Sequence, residues 1–577
     1  VHDTNGPAGA RTAPPIADGS APSEPTAPTA PAPPAPATGT AGGPRPPAAL
    51  RAAGAAAGGL LLFLAFPPLD LWFLAPPGIA LAVLSVYGTA PRRGAWLGLV
   101  AGIAFMLPSV AWVRSLGVDV WLGLAALEAV FYAAFGAGAA LAVRLPLWPL
   151  WTAGLWVASE WVRGLVPFGG FPWARAAFSQ AGSPFAPYAA LGGVPLVSFA
   201  VALCGGLLAL LALVCAWGAG RTGGAGGAGG TGGAGGMGGA GSPGGMSGVW
   251  RAAALTLAGA VAVPALGLAV PRPGDEGRTV NVAVVQGNVP GRGMAWMGDE
   301  RAVVLRNHAD KTHELAAAVR AGRVAKPDIV VWPENSSDID PYLDESARST
   351  IDAAVKDIGV PVLVGVVASI GDTERATRSL VWDPVAGPGA YYDKQQLVPF
   401  GEYTPMQELV QSLYARARLV GRQSRPGTVD GDLRMGPVTI GAVNCYEIAF
   451  DGVVRGTVRA GGSPIVVQAN NATYALTDLP VQQLAMYRLR AVEHNRAVVA
   501  AATTGVSAVV RPDGDVSWRS EELVPAVHVE RVPVRTGTTL ATTLGPAPEW
   551  LLVALSLGAL PWALRRGPRT VGARRDH

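Results

Sequence analysis

Three short segments place a reactive side chain just past an apolar, strand-like run, where loops present functional groups. Val331-Trp332-Pro333-Glu334-Asn335 carries Glu334. Pro333 stops a strand ladder there, and a carboxylate at a partly buried strand end gains proton affinity, which suits a general base. Tyr391 through Tyr403 carries Lys394, one of four Lys (Lys311, Lys326, Lys356, Lys394) among 44 basic residues. A compact ammonium can stabilise a single developing oxyanion, whereas Arg prefers a two-point partner. Gly441-Ala442-Val443-Asn444-Cys445-Tyr446-Glu447 carries Cys445, far from Cys204 and Cys215, which fall in an apolar run. Taken singly, each has an ordinary reading: a solvated or helix-capping Glu, a surface Lys, an inert core Cys. Together they supply a thiol nucleophile, a base and a stabiliser for charge on an attacked carbonyl.

The chain that must position these groups has 577 residues, 50% hydrophobic and only 15% charged, with mean hydropathy +0.32. A soluble domain carries about 25% charged residues. Residues 51–272 hold four acids, Asp70, Asp119, Glu128 and Glu160; nearly all the others follow. The pattern is a membrane part followed by a water-soluble part. Residues 1–50 are Pro/Ala-rich and read as a disordered tail; they do not resemble a signal peptide, because the apolar run starts too late. Apolar runs at about 52–66, 69–89, 94–113, 120–143, 146–163, 189–217, 250–270 and 549–564 read as eight membrane spans. Residues 218–248, with 18 Gly in 31 positions, read as a flexible linker between spans six and seven. With the N-terminus inside, inner segments hold twelve Arg against five in the outer ones. That bias puts both termini, including a basic tail at 565–577, in the cytoplasm and the domain at 279–545 outside. Glu160 and Arg163, three apart on one helix, are either an intramembrane functional pair or a pair snorkelling to the interface.

Within 279–545, strand-like runs at 280–285, 329–332, 361–367, 438–443, 465–468 and 498–502 alternate with helical stretches at 299–321, 345–358 and 480–495. That alternation predicts an α/β layered domain. Three Cys and no collagen period exclude disulfide-rich and fibrous classes. A net charge of +4 gives nucleic acid binding no support. Six scattered His, no CxxC and no GxGxxG cofactor loop predict neither a metal nor a nucleotide cofactor.

The order Glu334, Lys394, Cys445 with its flanking strands resembles the Glu–Lys–Cys triad of the carbon–nitrogen hydrolase (nitrilase) superfamily over about 280–530. With the spans added, roughly 50–565 resembles the bacterial apolipoprotein N-acyltransferase family. The resemblance is carried by Gln286-Gly287-Asn288-Val289-Pro290, Trp332-Pro333-Glu334, Lys394 through Tyr403, Cys445-Tyr446-Glu447, Glu160 through Gly164, Gly170-Phe171-Pro172-Trp173, and a helix with Met486, Arg488, Arg490, Ala491, Glu493 and Arg496. It implies a polytopic α-helical membrane protein of eight spans with an extracytoplasmic nitrilase-like αββα sandwich, in the cell membrane. It also implies an activity: transfer of a fatty acyl chain from a phospholipid to the α-amino group of the diacylglyceryl-modified N-terminal Cys of apolipoproteins, through a Cys445 thioester. The alternative is a membrane-tethered amidase or nitrilase that uses water as acceptor. Partners are then the phospholipid donor, the apolipoprotein acceptor and the bilayer, with no nucleic acid and no cofactor; the enzyme is expected to be a monomer. By the same resemblance, Glu402 orients Lys394 or shares its charge, Glu447 supports the loop carrying Cys445, and backbone N–H groups near Cys445 and Tyr446 join Lys394 at the oxyanion. Trp296, in the Gly-flanked stretch 291–298, is a candidate for the acyl entrance. Two departures stand out. Asn444 replaces an aliphatic residue before the Cys, and Asn470-Asn471-Ala472-Thr473-Tyr474-Ala475 replaces the family's Asn-Asp-Ala-Trp-Phe-Gly; both put donor preference in question.

Overall fold

A computed structural model describes residues 47–223, 244–271, 274–289, 291 and 302–567. Most of the N-terminal tail, most of the Gly-rich linker, Trp296 and most of the basic tail therefore lie outside the described residues.

The apolar part folds as helices α1 (Ala48–Leu64), α2 (Ala75–Val86), α3 (Pro91–Ser109), α4 (Val118–Ala142), α5 (Trp148–Arg163), α6 (Ala189–Gly223) and α7 (Gly244–Leu268). Among the described residues, four helices are long and apolar enough to cross a membrane: Val118–Ala142, Ala186–Ala219, Ser247–Leu268 and Ala547–Arg565. The run at 69–89 gives a shorter helix than its hydropathy predicts. A turn after Pro67-Pro68 and a 3₁₀ turn at Trp72–Leu74 leave α2 only 12 residues. Helices α3 and α4 approach through small residues at four-residue spacing, Gly94, Gly98 and Gly102, as helices do where burial in lipid supplies no driving force. A Cβ at Gly98 would stand 2.1 Å from the carbonyl oxygen of Tyr132, so only Gly fits there.

The polar part contains strands β1 (Thr279–Gln286), β2 (Ile329–Val331), β3 (Val362–Ile370), β4 (Glu374–Asp383), β5 (Gly387–Asp393), β6 (Gln423–Ser424), β7 (Asp432–Met435), β8 (Val438–Asn444), β9 (Ile465–Ala469), β10 (Val498–Ala502), β11 (Ala508–Val510), β12 (Val516–Arg519) and β13 (Ala526–Pro533). They form two sheets, in the orders β13-β1-β2-β3-β4-β5 (with β6 beside β4) and β12-β11-β10-β9-β8-β7. In each sheet the central three strands are parallel: β1-β2-β3 and β8-β9-β10.

The period-2 pattern of the strands explains the layers. Val280, Val282, Val284, Ile329, Val331 and Leu363 of the first sheet meet Ile440, Ala442, Val466 and Val499 of the second in one core. Their neighbours Ala283, Val285, Val330 and Val364 face outward, under helices α8 (Val303–Arg320) and α9 (Glu345–Ile358). On the other side, Val443, Ile465, Val467, Val498 and Ala500 pack under helices α11 (Asp451–Arg459) and α12 (Leu479–His494), while helix α10 (Gln407–Leu413) buries none of its residues. This is the nitrilase-like arrangement of two sheets between helices. The outer core beyond β8, β9 and β10 is continuous with that of the apolar helices, through residues such as Trp112, Phe178 and Val194. Helix α13 (Leu540–Leu544) then leads into α14 (Ala547–Gly558) and α15 (Leu560–Arg565), which return to the apolar bundle. The parallel strand runs predicted from sequence form as expected. The antiparallel strands β4, β5, β7, β12 and β13 carry mixed polar and apolar residues that did not announce them, and β11 is an apolar run of only three residues.

Candidate active site

Glu334, Lys394 and Cys445 follow the C-terminal ends of β2, β5 and β8, so the topology brings three loops distant in sequence to one end of the sandwich. The Lys394 ammonium donates to Glu334 Oε1 at 2.9 Å and to Glu402 Oε1 at 3.1 Å. Lys394 is 2% exposed and Glu334 4%. A bare charge would not persist at that depth; here each charge has a partner and the remaining lone pairs are met. Glu334 Oε2 accepts the backbone N–H of Asn470 at 3.0 Å. Glu402 accepts from the Thr377 hydroxyl (3.0 Å) and the Val398 N–H (2.7 Å). Gln468, on the second sheet, donates across to the carbonyl of Trp332 and fixes the strand end that presents Glu334.

The electrostatics follow from this burial. Burial raises the proton affinity of Glu334, the neighbouring Glu402 raises it further, and Lys394 opposes both without cancelling them. Burial disfavours the Lys394 ammonium, but Glu334 and Glu402 outweigh it and hold the proton firmly on nitrogen. Burial and the Glu334 charge push the Cys445 thiol up to about 12, against Lys394, the Gln483 side chain and the Asn470 N–H. The resting site is therefore a protonated thiol beside a carboxylate of raised basicity and a permanent cation. That arrangement can move one proton from sulfur to Glu334 as a new bond to sulfur forms.

Cys445 has φ of +46°, in the left-handed region that side chains seldom occupy. It opens a 3₁₀ turn, Cys445–Ala449. Glu447 holds the entry to that turn. Its carboxylate accepts the N–H of Asn444 (2.7 Å), Gln395 (2.6 Å) and Gln396 (3.0 Å) and the Tyr392 hydroxyl (2.8 Å). The same side chain thus ties the Cys445 turn to the segment just after Lys394. Burial lifts Glu447 to about 7 against these donors. Asn444 turns inward: its Oδ1 accepts from Ser379 of the other sheet at 3.0 Å. This departure from an aliphatic residue is a cross-sheet hydrogen bond in the interior, and its side chain does not shape the open side of the site. Tyr446 reaches the apolar part: its hydroxyl donates to Gly170 O at 2.9 Å, and its ring lies nearly parallel to those of Phe171 and Trp173, with centroids 6.2 and 6.3 Å away. Tyr474 meets Trp112 edge-on at 5.2 Å.

Beneath the turn lies a charged cluster that the sequence pattern did not announce. Arg490, fully buried on α12, donates to Ile448 O (2.9 Å) and Ala449 O (3.0 Å), the carbonyls that end the Cys445 turn. It also pairs with Asp451 (2.7 Å) and Glu493 (2.5 Å). Asp451 pairs in turn with Arg175 (2.8 Å), which reaches Glu160 (3.5 Å) and Glu549 (3.4 Å). Glu160 and Arg163 do not pair with each other, and neither snorkels. Both are 1% exposed; Arg163 pairs with Glu128 at 3.2 Å and donates to the carbonyls of Phe171 and Trp173, while Glu160 accepts from Trp156 and the Ala176 N–H. Gln483, against Cys445, is a second residue that sequence reasoning missed. No spacing rule marks these residues; beyond the resemblance, which named Arg490 and Glu493, the hint was the density of polar side chains on α12, which is buried on nearly every face. Among the described residues no cluster of His, Cys, Asp and Glu could hold a metal.

Comparison with known proteins agrees in both parts of the chain. Residues 58–207 match the model of the apolipoprotein N-acyltransferase N-terminal domain, and 281–529 that of the carbon-nitrogen hydrolases. An apolipoprotein N-acyltransferase of Mycolicibacterium smegmatis is 39% identical over 522 residues, covering 89% of this chain and 85% of the relative. One from Azotobacter vinelandii is 29% identical, covering 89% and 94%. Among solved structures, a variant of the Nesterenkonia AN1 amidase of the nitrilase superfamily aligns with 48% of this chain and 97% of its own, at 18% identity and a TM-score of 0.35.

Burial raises the proton affinity of Asp451, but Arg175 and Arg490 outweigh it and hold the carboxyl below the usual carboxylate range. Its contribution to stability is therefore complete above the ordinary value and declines as pH falls below about 4. Asp451→Ala leaves two guanidinium groups facing each other and should destabilise the protein by about 3–5 kcal/mol at pH 7. Thermal melts of the detergent-solubilised protein should show the gap from wild type narrowing between pH 4 and pH 3. A gap independent of pH would contradict this role.

Proposed function

The chain belongs to the apolipoprotein N-acyltransferase family, and on that premise we propose that it moves a fatty acyl chain from a membrane phospholipid to the α-amino group of the diacylglyceryl-modified N-terminal Cys of apolipoproteins. The observation that carries the mechanism is the buried Lys394 held between Glu334 and Glu402 beside the Cys445 thiol. Glu334 takes the thiol proton as Cys445 Sγ attacks the ester carbonyl. The oxyanion that forms is met by the Lys394 ammonium and by N–H groups at the start of the Cys445 turn. One such donor contributes roughly 10²–10³ in rate. The tetrahedral species collapses, Glu334 returns the proton to the departing lysophospholipid oxygen, and a thioester remains on Cys445. The acceptor amine attacks that thioester, Glu334 takes the amine proton, an amide forms and the thiolate is released and reprotonated. Glu402 keeps the ammonium in place by sharing it, and Glu447 holds the turn. Hydrolysis to water draws no support from the relatives above, whose matches run through the apolar helices as well as the carbon–nitrogen hydrolase part.

Eight spans, both termini in the cytoplasm and the sandwich on the outer face of the cell membrane complete the proposal, with a monomer as the working unit. The apolar helices on both sides of the sandwich in sequence and the Arg distribution support this topology. It places the thiol at the lipid surface, where both substrates are anchored, and so raises their effective concentration.

The test is transfer from phospholipid to a diacylglyceryl peptide by purified protein. Cys445→Ala should abolish it. Glu334→Gln keeps size but cannot take the proton, and should lower the rate by about 10²–10⁴. Lys394→Arg should not rescue the loss seen in Lys394→Met, since a planar fork cannot put one donor at the same point. Full activity in Cys445→Ala or Glu334→Gln would contradict these roles.

Topology is checked separately. A reporter fused after residue 310 should be active outside the cell, and one fused near residue 230 should be active inside. The reverse pattern would put the site on the wrong side of the membrane.

A further inference from the structure

One contact to the Cys445 sulfur has no part in the proton transfers above. Gln483 Nε2 lies 3.6 Å from Sγ, within the reach of an N–H···S hydrogen bond. Gln483 is 1% exposed, so its amide has no recourse to solvent. One neighbour settles which end of that amide meets the sulfur. Asn471 Nδ2 donates to Gln483 Oε1 at 2.8 Å, which leaves the NH₂ end turned to Sγ. Asn471 is itself 1% exposed and packed against Gly505, where a Cβ would stand 2.8 Å from the Asn471 Cβ. The preceding residue fixes the helix: Gln482 accepts from Trp173 Nε1 (2.6 Å) and donates to Ser109 O (3.2 Å), which locks the rotation of α12 against the apolar part.

We propose that Gln483 is a further catalytic residue, whose side-chain N–H stabilises the Cys445 thiolate, and that Asn471 positions it. This deepens the function proposed above and rests on Cys445 being the nucleophile. A thiol or a thioester sulfur is a weak acceptor and a thiolate a strong one. The N–H is therefore worth most when sulfur carries charge, and such differential stabilisation accelerates a step. That occurs twice: when Glu334 takes the thiol proton as sulfur attacks the ester, and when sulfur leaves with its electron pair as the amine displaces it. In neither step does the amide exchange a proton. The other groups facing the sulfur act in known senses. Lys394 and the Asn470 N–H favour the thiolate, and Glu334 opposes it. Tyr474 and Tyr487, neutral, and Glu402 and Glu447, each tied to its own donors, complete the surroundings.

The test is alkylation of Cys445 by iodoacetamide in the full-length protein in detergent, read from the Cys445 peptide by mass spectrometry so that Cys204 and Cys215 do not interfere. Between pH 6 and 9, below the thiol midpoint, the rate should rise about tenfold per pH unit. A hydrogen bond to a charged group shifts the midpoint by about one to two pH units, and the weaker-base thiolate is also less nucleophilic. Gln483→Met keeps the size and removes the N–H, and should alkylate about threefold to tenfold more slowly at every pH in that range. Asn471→Ala should show a smaller loss in the same direction, and it carries the test should Gln483→Met not fold. Single-turnover acylation and aminolysis should both slow by a similar factor, with KM for phospholipid unchanged. Alkylation of both variants at the wild-type rate or faster would overturn the proposal, as would a raised KM with unchanged single-turnover rates. Because alkylation needs no acyl transfer, that result would leave the Cys445 mechanism standing. Transfer surviving in Cys445→Ala would instead remove the mechanism itself.

Discussion

The site depends on one buried ammonium shared by two carboxylates. Removing an ammonium and a carboxylate from water costs several kcal/mol per ion even after relaxation. Lys394 stays charged at 2% exposure only because Glu334 and Glu402 stand 2.9 and 3.1 Å away. Burial is the main reason Glu334 binds a proton more tightly than usual, and the second carboxylate of Glu402 adds to it against the opposing Lys394 cation. The balance is local, and much of the surrounding structure serves to hold it. The Asn470 and Val398 N–H groups take up carboxylate lone pairs, Gln468 pins the strand end under Glu334, and Glu447 joins the Lys394 and Cys445 segments through one carboxylate. Displacing any of these by an ångström would leave a charge unmatched where water cannot compensate.

The second constraint is the seam between the sandwich and the apolar helices. It is built from specific polar contacts as well as greasy area. Tyr446 bonds Gly170, Gln482 bonds Trp173 and Ser109, and Asp451 bonds Arg175. All three start within six residues of Cys445 or on the helix beside it. The turn that carries Cys445 is thus held from both sides, by the two sheets above and by the apolar part below. In the proposed function this fixes the height of the thiol over the lipid surface, where the ester of a phospholipid must meet it.

How much of this was legible in the sequence follows from which forces left a pattern. The parallel strands are continuous apolar runs buried on both faces, so Val280–Val285, Val438–Val443 and Val498–Ala502 declared themselves. Edge strands such as β12, with the pattern Val-Ser-Trp-Arg, bury one face weakly and did not. The Glu334, Lys394 and Cys445 segments were visible because each breaks its surroundings: a Pro-Glu after a strand, a Lys in a chain that prefers Arg, a Cys in a domain without others. Asp451, Arg175 and Gln483 were opaque because their roles come from tertiary pairing, Arg175 with Asp451 across 276 residues and Gln483 with Cys445 across 38, while Arg490 was marked only by the family resemblance. Glu160 and Arg163 show the limit from the other side. Their spacing suggested a pair, but each found a stronger partner elsewhere, Ala176 and Trp156 for one and Glu128 for the other. The Asn444 departure was visible as a departure, yet its partner Ser379 lies on the other sheet and left no local trace.

The most direct test of the account is the mass of the Cys445 peptide after the purified protein meets phospholipid with no amine acceptor present. The account predicts one acyl chain on Cys445, released by hydroxylamine and discharged when a diacylglyceryl peptide is added. Transfer to the peptide with no acyl group ever found on Cys445, or with the group on another side chain, would contradict it.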